Sequence, residues 1–143
     1  MVRVMASGVF DIIHIGHISY LEQAKAMGDE LVVVVACDET AKKRKREPIM
    51  PESARMRMIN SLKPVDIAVM GDGGDMFATI EKIRPDIIVL GFDQNFDETE
   101  LKNELAKRDI RAEVIRASEH IDDLTSTRRM IDRIVKRFGD DTR

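Results

Sequence analysis

Cysteine is nearly absent from this chain: Cys37 is the only one among 143 residues. One thiol makes neither an internal disulfide nor a cysteine-built zinc cage, and it fits a reducing compartment, so the cytoplasm is the expected location. Tryptophan is missing, tyrosine occurs once and phenylalanine five times, too few aromatics for the stacking platforms of a general nucleic-acid binder. Basic charge is not in excess either. The 26 acidic residues outnumber the 23 Lys plus Arg, for a net charge of -3, which argues against a polyanion as partner. No apolar run approaches the roughly 18 residues needed to cross a bilayer, and Met1-Val2-Arg3 does not open a charged-then-apolar signal segment. Nucleic acid and membrane are therefore not expected as partners, and a single domain over 1–143 handling small molecules is the expectation.

What the sequence does have is alternation. Short apolar runs at 2–6, 30–36, 67–70, 86–90 and 112–115 are separated by segments of helical period, the pattern of repeated βα units. The runs Val32-Val33-Val34-Val35 and Ile87-Ile88-Val89-Leu90 are continuously apolar, as in strands buried on both faces. The spacing predicts an α/β fold, a Rossmann-like open sheet of five parallel strands with helices on both faces. Ile18, Leu21 and Ala24 mark the first helix, which ends at Gly28. Ile59 with Leu62, Phe77 with Ile80 and Ile83, and Leu101 with Leu105 mark three more, and a last helix starts near Thr125 to Thr127 and runs to Phe138. The like charges of Lys42-Lys43-Arg44-Lys45-Arg46, before Pro48, predict a mobile loop after the second strand. Ligands of open α/β sheets bind beyond the carboxyl ends of the strands, so the loops after strands one, two and four are where chemistry is expected.

Directly after the first strand stands Ser7-Gly8-Val9-Phe10-Asp11-Ile12-Ile13-His14-Ile15-Gly16-His17. His14 and His17 are three apart and so share a helix face, with Gly16 at the expected helix start. That turn offers N–H groups and partial positive charge, and a glycine lets an anion approach closely. From the residues alone the pair suits a structural or capping role, an anion contact, or a metal site completed by a further ligand such as Asp11. The spacing of Gly8 and Gly16 fails GxGxxG, and no Gly-Lys-Ser/Thr of a Walker loop follows.

Gly8-Val9-Phe10-Asp11 followed by His14-Ile15-Gly16-His17 resembles the GTFD and HxGH signature of the nucleotidyltransferase superfamily that includes the cytidylyltransferases. Gly91-Phe92-Asp93-Gln94 and Thr125-Ser126-Thr127-Arg128, the latter similar to the superfamily's ISSTxIR-type segment, follow in the same order along nearly the whole chain. Among short members, Cys37-Asp38-Glu39-Thr40, Lys63-Pro64-Val65-Asp66 and the stretch 84–94 are most similar to the archaeal FAD synthases, which are FMN adenylyltransferases. Glycerol-3-phosphate cytidylyltransferases are the near neighbours. Val9 departs from the signature's usual threonine, so a hydroxyl contact there is lost while backbone contacts survive.

The resemblance implies transfer of AMP from ATP to FMN, giving FAD and pyrophosphate with no covalent enzyme intermediate. CTP with glycerol 3-phosphate or a similar polyol phosphate is the alternative pair, and a nucleotide- or flavin-binding module without turnover is the alternative of another class. Such chemistry needs no general base, because a phosphate monoester with a second pKa of about 6 is already mostly dianionic at neutral pH. By the resemblance His14, His17 and Arg55 are catalytic, donating to the triphosphate and its transition state. Val9, Phe10, Ile15, Gly16, Asp93, Arg116, Ser126, Thr127 and Arg128 join the two histidines in holding the nucleotide. Each has a plainer alternative: a solvated arginine, a turn aspartate, a helix cap. Further candidates are Asp11, as loop anchor or magnesium ligand, the cations Lys42, Lys43, Arg44 and Arg46, and His120. A divalent metal ion, Mg2+ or Co2+, is expected on the substrate phosphates rather than in a cage of protein ligands. Phe10, Phe92, Phe96, Met50 and Met56 offer either core or a surface for a flat acceptor ring. A homodimer is the expected assembly.

Overall fold

A computed structural model describes residues 1–44, 47–120 and 124–139. Five strands, β1 (Arg3–Gly8), β2 (Glu30–Val35), β3 (Ile67–Met70), β4 (Ile87–Leu90) and β5 (Glu113–Arg116), form one parallel sheet in the order β3-β2-β1-β4-β5. The order reverses between β1 and β4, which makes their carboxyl ends the switch point. The two ladders of β1 have different lengths. Against β2 it pairs from Arg3↔Glu30 to Gly8↔Val35, whereas against β4 pairing stops at Ala6↔Val89. A cleft therefore opens after Ala6.

Alternation along the central strands sorts the core into two layers, because successive side chains point to opposite faces. Val4, Ala6, Val33 and Val35 pack with Tyr20, Leu21 and Ala24 of α1 (Ile15–Ala26) and Ile59 of α3 (Glu52–Asn60). Met5, Val32, Val34, Ile88 and Leu90 pack with Ile80 and Ile83 of α4 (Met76–Ile83) and Leu101 and Leu105 of α5 (Glu98–Lys107). Helices thus cover both faces, and strands covered on both sides read as unbroken apolar runs. No helix among the described residues is long and apolar enough to cross a membrane.

The mobile loop expected over 42–48 is corrected by the structure at its first three residues. Lys42, Lys43 and Arg44 form the last turn of a sixth helix, α2 (Asp38–Arg44). Asp38 and Glu39 lie in its first turn and the cations in its last, both matched to the helix dipole. Ala41 is buried beneath it, and Lys43 pairs with Glu39 one turn earlier at 3.5 Å. A run of like charge was thus half of a dipole-matched helix. Lys45 and Arg46 lie outside the described residues. The chain closes on α6 (Thr127–Phe138), which Ser126 caps by accepting from the Arg129 N–H.

Candidate active site

The loop from Gly8 to His14 leaves β1 at the cleft and turns through Phe10, which adopts φ 54°. That left-handed conformation costs a residue with a bulky side chain energy that its packing must return. The Phe10 ring folds back under Gly8, where a Cβ would lie 2.9 Å from its Cζ, so only glycine fits above it. It meets the His17 ring edge to face at 5.5 Å and stacks on Tyr20 at 6.4 Å. Buried and aromatic on both sides, Phe10 supports His17 from below rather than presenting its ring to a ligand.

His14 is the N-cap of α1, and the two histidines complete a reciprocal cap. The Gly16 N–H donates to His14 Nδ1 at 3.1 Å, and the His14 N–H donates to His17 Nδ1 at 3.2 Å. Both Nδ1 atoms are acceptors, so in the neutral rings the hydrogen sits on Nε2. The rings stack with centroids 3.8 Å apart. This arrangement ties both Nδ1 atoms to backbone N–H groups and stacks the two imidazoles at a helix N-terminus. Burial holds the His14 pKa below its ordinary 6.5, opposed by the nearby Asp93 carboxylate. His14 is thus a neutral donor at physiological pH.

The start of α6 comes against the start of α1. Thr127 donates its hydroxyl to the Ile12 carbonyl at 3.0 Å, and a Cβ on Gly16 would lie 2.9 Å from both the Thr125 carbonyl oxygen and His14 Cε1. Two helix N-termini, each with its partial positive charge, therefore meet beside the histidines. Ser126 and Thr127 are half-buried there, Arg128 is exposed on the first turn, and Ile15 is 43% exposed beside His14. Across the cleft, exposed Asp93 follows β4.

Several expected residues have other work. Arg55 is buried completely, donating through Nε to the Met50 carbonyl, through Nη1 to the carbonyls of Val9 and Ala36, and through Nη2 to Asp38. The expected phosphate contact is corrected: its guanidinium ties the ends of β1 and β2 together beneath the site. Arg116 is corrected likewise, since it donates to Glu98 and to the carbonyls of Gly91, Gln94 and Phe96, bracing the loop that carries Asp93. Backbone carbonyls in the loops that leave the strands need donors, and a planar guanidinium supplies several. Asp11 anchors its loop, with its two oxygens accepting from the N–H groups of Ile49 and Met50. Lys42 pairs with Glu47, Arg44 lies over the Phe96 ring at 5.3 Å, and His120 is half-buried between β5 and α6. Among the described residues no group of three or more His, Cys, Asp or Glu is placed to hold a metal ion.

A second recess lies beyond the ends of β1, β2 and β3, floored by Met5, Val34, Ala36 and Met76 and bordered by Arg44 and the glycines of 71–74. Tyr20 and the side chain of Gln94, which the spacing of the sequence does not single out, meet at the β1/β4 fork. A lone tyrosine on the buried face of a helix was the available signal.

A doubly wound parallel sheet whose switch point carries paired imidazole donors and two converging helix N-termini defines a nucleotide-handling α/β protein built for phosphate transfer. The comparisons with known proteins are specific about which. Residues 5–134 match the model of the cytidylyltransferase-like family, and the chain belongs to that family. It is 55% identical to an FAD synthase of Aciduliprofundum boonei, over 98% of this chain and 95% of that one. It is 47% identical to an FAD synthase of Thermoplasma acidophilum, over 98% and 99%. A crystal structure described as a lipopolysaccharide core biosynthesis protein from Thermoplasma volcanium superposes with a TM-score of 0.84 at 50% identity, covering 85% of this chain and 99% of that one.

Proposed function

We propose that the chain joins the AMP part of ATP to FMN, giving FAD and pyrophosphate. The observation that carries this reading is the 47–55% identity to FAD synthases over 98% of the chain, taken together with the paired imidazoles at the switch point. An FMN phosphate oxygen attacks the α-phosphorus, the bond from that phosphorus to the bridging oxygen breaks, and pyrophosphate departs in line with the new bond. His14 and His17 hold the triphosphate and donate to oxygens that gain charge in the transition state. The starts of α1 and α6, with Ser126, Thr127 and Arg128, receive the rest of the polyphosphate. Asp93 accepts from the nucleoside, and the backbone at Val9 and Phe10 lies against it. A divalent cation, Mg2+ or Co2+, bound with the substrates would supply neutralisation of part of the phosphate charge.

The second recess supplies the acceptor side. Its floor of Met5, Val34 and Met76 suits the flat apolar ring of a flavin, and Arg44 at its rim would pair with the FMN phosphate. Cys37 as a lone free thiol fits work in the cytoplasm. The working form is a homodimer, to which the exposed Ile67 on edge strand β3 and neighbouring Met58 offer apolar surface.

A crossed assay tests the reading: ATP or CTP against FMN or glycerol 3-phosphate, with magnesium and separately with cobalt, following pyrophosphate and the coupled product. Transfer with ATP and FMN alone is the expected result. Transfer from CTP to the polyol phosphate replaces it with a cytidylyltransferase, and nucleotide binding without pyrophosphate release replaces it with a binding module.

A further inference from the structure

The β1/β4 fork is kept open by side chains. Past Ala6↔Val89 the strands no longer pair, yet the polar groups of Ser7 and Val89 are not left to solvent. The Tyr20 hydroxyl accepts from the Ser7 N–H at 3.2 Å and donates to the Val89 carbonyl at 2.6 Å, with the Ser7 carbonyl 3.3 Å away. It stands between the two strands, in place of a direct strand-to-strand bond. Gln94 completes the closure from the β4 side: its Nε2 donates to the Ser7 carbonyl at 2.8 Å and its Oε1 accepts from the Gly91 N–H at 2.9 Å. Ser7 thus has both backbone groups held by side chains, and these belong to α1 and to the loop that carries Asp93.

We infer that Tyr20 and Gln94 are positioning residues that wedge the carboxyl ends of β1 and β4 apart and set the width of the nucleotide cleft. The same two residues fix both walls. Tyr20 sits one turn along α1 from His17 and stacks on Phe10, which supports the His17 ring. Gln94 follows Asp93 directly. A change at the wedge therefore moves the histidine wall relative to the Asp93 wall; Met5, Val34 and Met76 of the acceptor recess lie on the opposite face of the sheet, and the recess meets the wedge only at its Ser7 and Gly8 edge. Burial pushes the Tyr20 phenol far above its ordinary pKa, so the wedge keeps its proton across the working pH range.

This inference rests on the adenylyl-transfer reading for its consequences, and the test separates the two. Tyr20→Phe removes the hydroxyl alone and keeps the ring on Phe10; Gln94→Met removes both amide contacts at similar volume. Affinity for Mg-ATP is measured by calorimetry with no acceptor present, and KM for ATP and for FMN in the coupled assay. Misplacing reacting groups by about an ångström costs up to roughly 100-fold. Each variant is expected to weaken Mg-ATP roughly 10-fold or more and raise KM for ATP, with KM for FMN changing by a clearly smaller factor because the recess touches the wedge only at Ser7 and Gly8. The double variant should lose far less than the product of the single losses, because both act on Ser7. A lower melting temperature with unchanged Mg-ATP affinity overturns the inference, as do equal shifts in both KM values or fully additive effects. If Tyr20→Phe does not fold, Gln94→Met carries the test. A native chain that binds Mg-ATP but makes no FAD refutes the proposed acceptor and leaves the wedge standing; FAD formation with ATP affinity indifferent to both variants does the reverse.

Discussion

The Thr127 hydroxyl donates to the carbonyl of Ile12, joining the first turn of the last helix to the loop that leads into His14, 115 residues earlier in the chain. Gly16 makes that approach possible, since its α-carbon faces the Thr125 carbonyl with no room for a methyl group. The first and third sequence motifs are thereby parts of one surface.

Gly16→Ala is expected to force the starts of α1 and α6 apart. The obstructing atoms include a backbone carbonyl, which cannot swing aside as a side chain would, so overpacking should cost about 1–3 kcal/mol. Mg-ATP affinity should fall with it. Thermal melts and calorimetry check both, and unchanged affinity would place the triphosphate elsewhere.

His17→Ala removes one Nε2 donor and the acceptor of the His14 N–H. Loss of one donor to developing charge costs about 100- to 1000-fold in kcat. Steady-state FAD formation, with circular dichroism as a check on folding, gives the answer. A loss confined to KM would assign His17 to ground-state binding.

Arg55→Ala should chiefly destabilise. It strips the donors from the part-buried carbonyls of Val9, Ala36 and Met50, and acceptors shielded from water and left unpaired cost about 1–3 kcal/mol each. Urea unfolding is expected to show a loss of at least about 3 kcal/mol. A fully stable variant that has lost only ATP affinity would restore the direct phosphate role.

Acid should weaken the fold in two steps. With His14 held below 6.5, the unfolded chain takes up a proton first as pH falls through that value, and the stability this gives the unfolded state accumulates down to the folded midpoint. Asp66, bonded by Lys25 and by the Leu31 N–H, is held below its ordinary 3.8, so the stability it contributes is present above that value and lost as pH falls through its folded midpoint. Asp66→Asn should flatten the lower step. Asp93→Asn, which removes the charge that raises His14, should move the His14 midpoint further down in an NMR titration.

The five strand segments, the burial of the central ones on both faces and the position of the His-x-Gly-His turn were legible because they depend on local quantities: the period of apolar residues, helix start signals and glycine spacing. Val32 to Val35 reads as a covered strand in any context. The helix at Asp38–Arg44 was not legible, because the cations of its last turn look like a solvated run until Ala41 is seen to be buried.

The sequence by itself determined the βα alternation, the paired imidazoles at a helix start and the motif order that marks the family. Tertiary structure alone decided what the polar side chains do. Arg55 and Arg116 face inward because strand ends of a parallel sheet leave carbonyls without donors, and Tyr20 and Gln94 reach the fork because β1 outlasts its ladder with β4. Which carbonyl lacks a partner depends on register between strands 83 residues apart, and no local pattern encodes that.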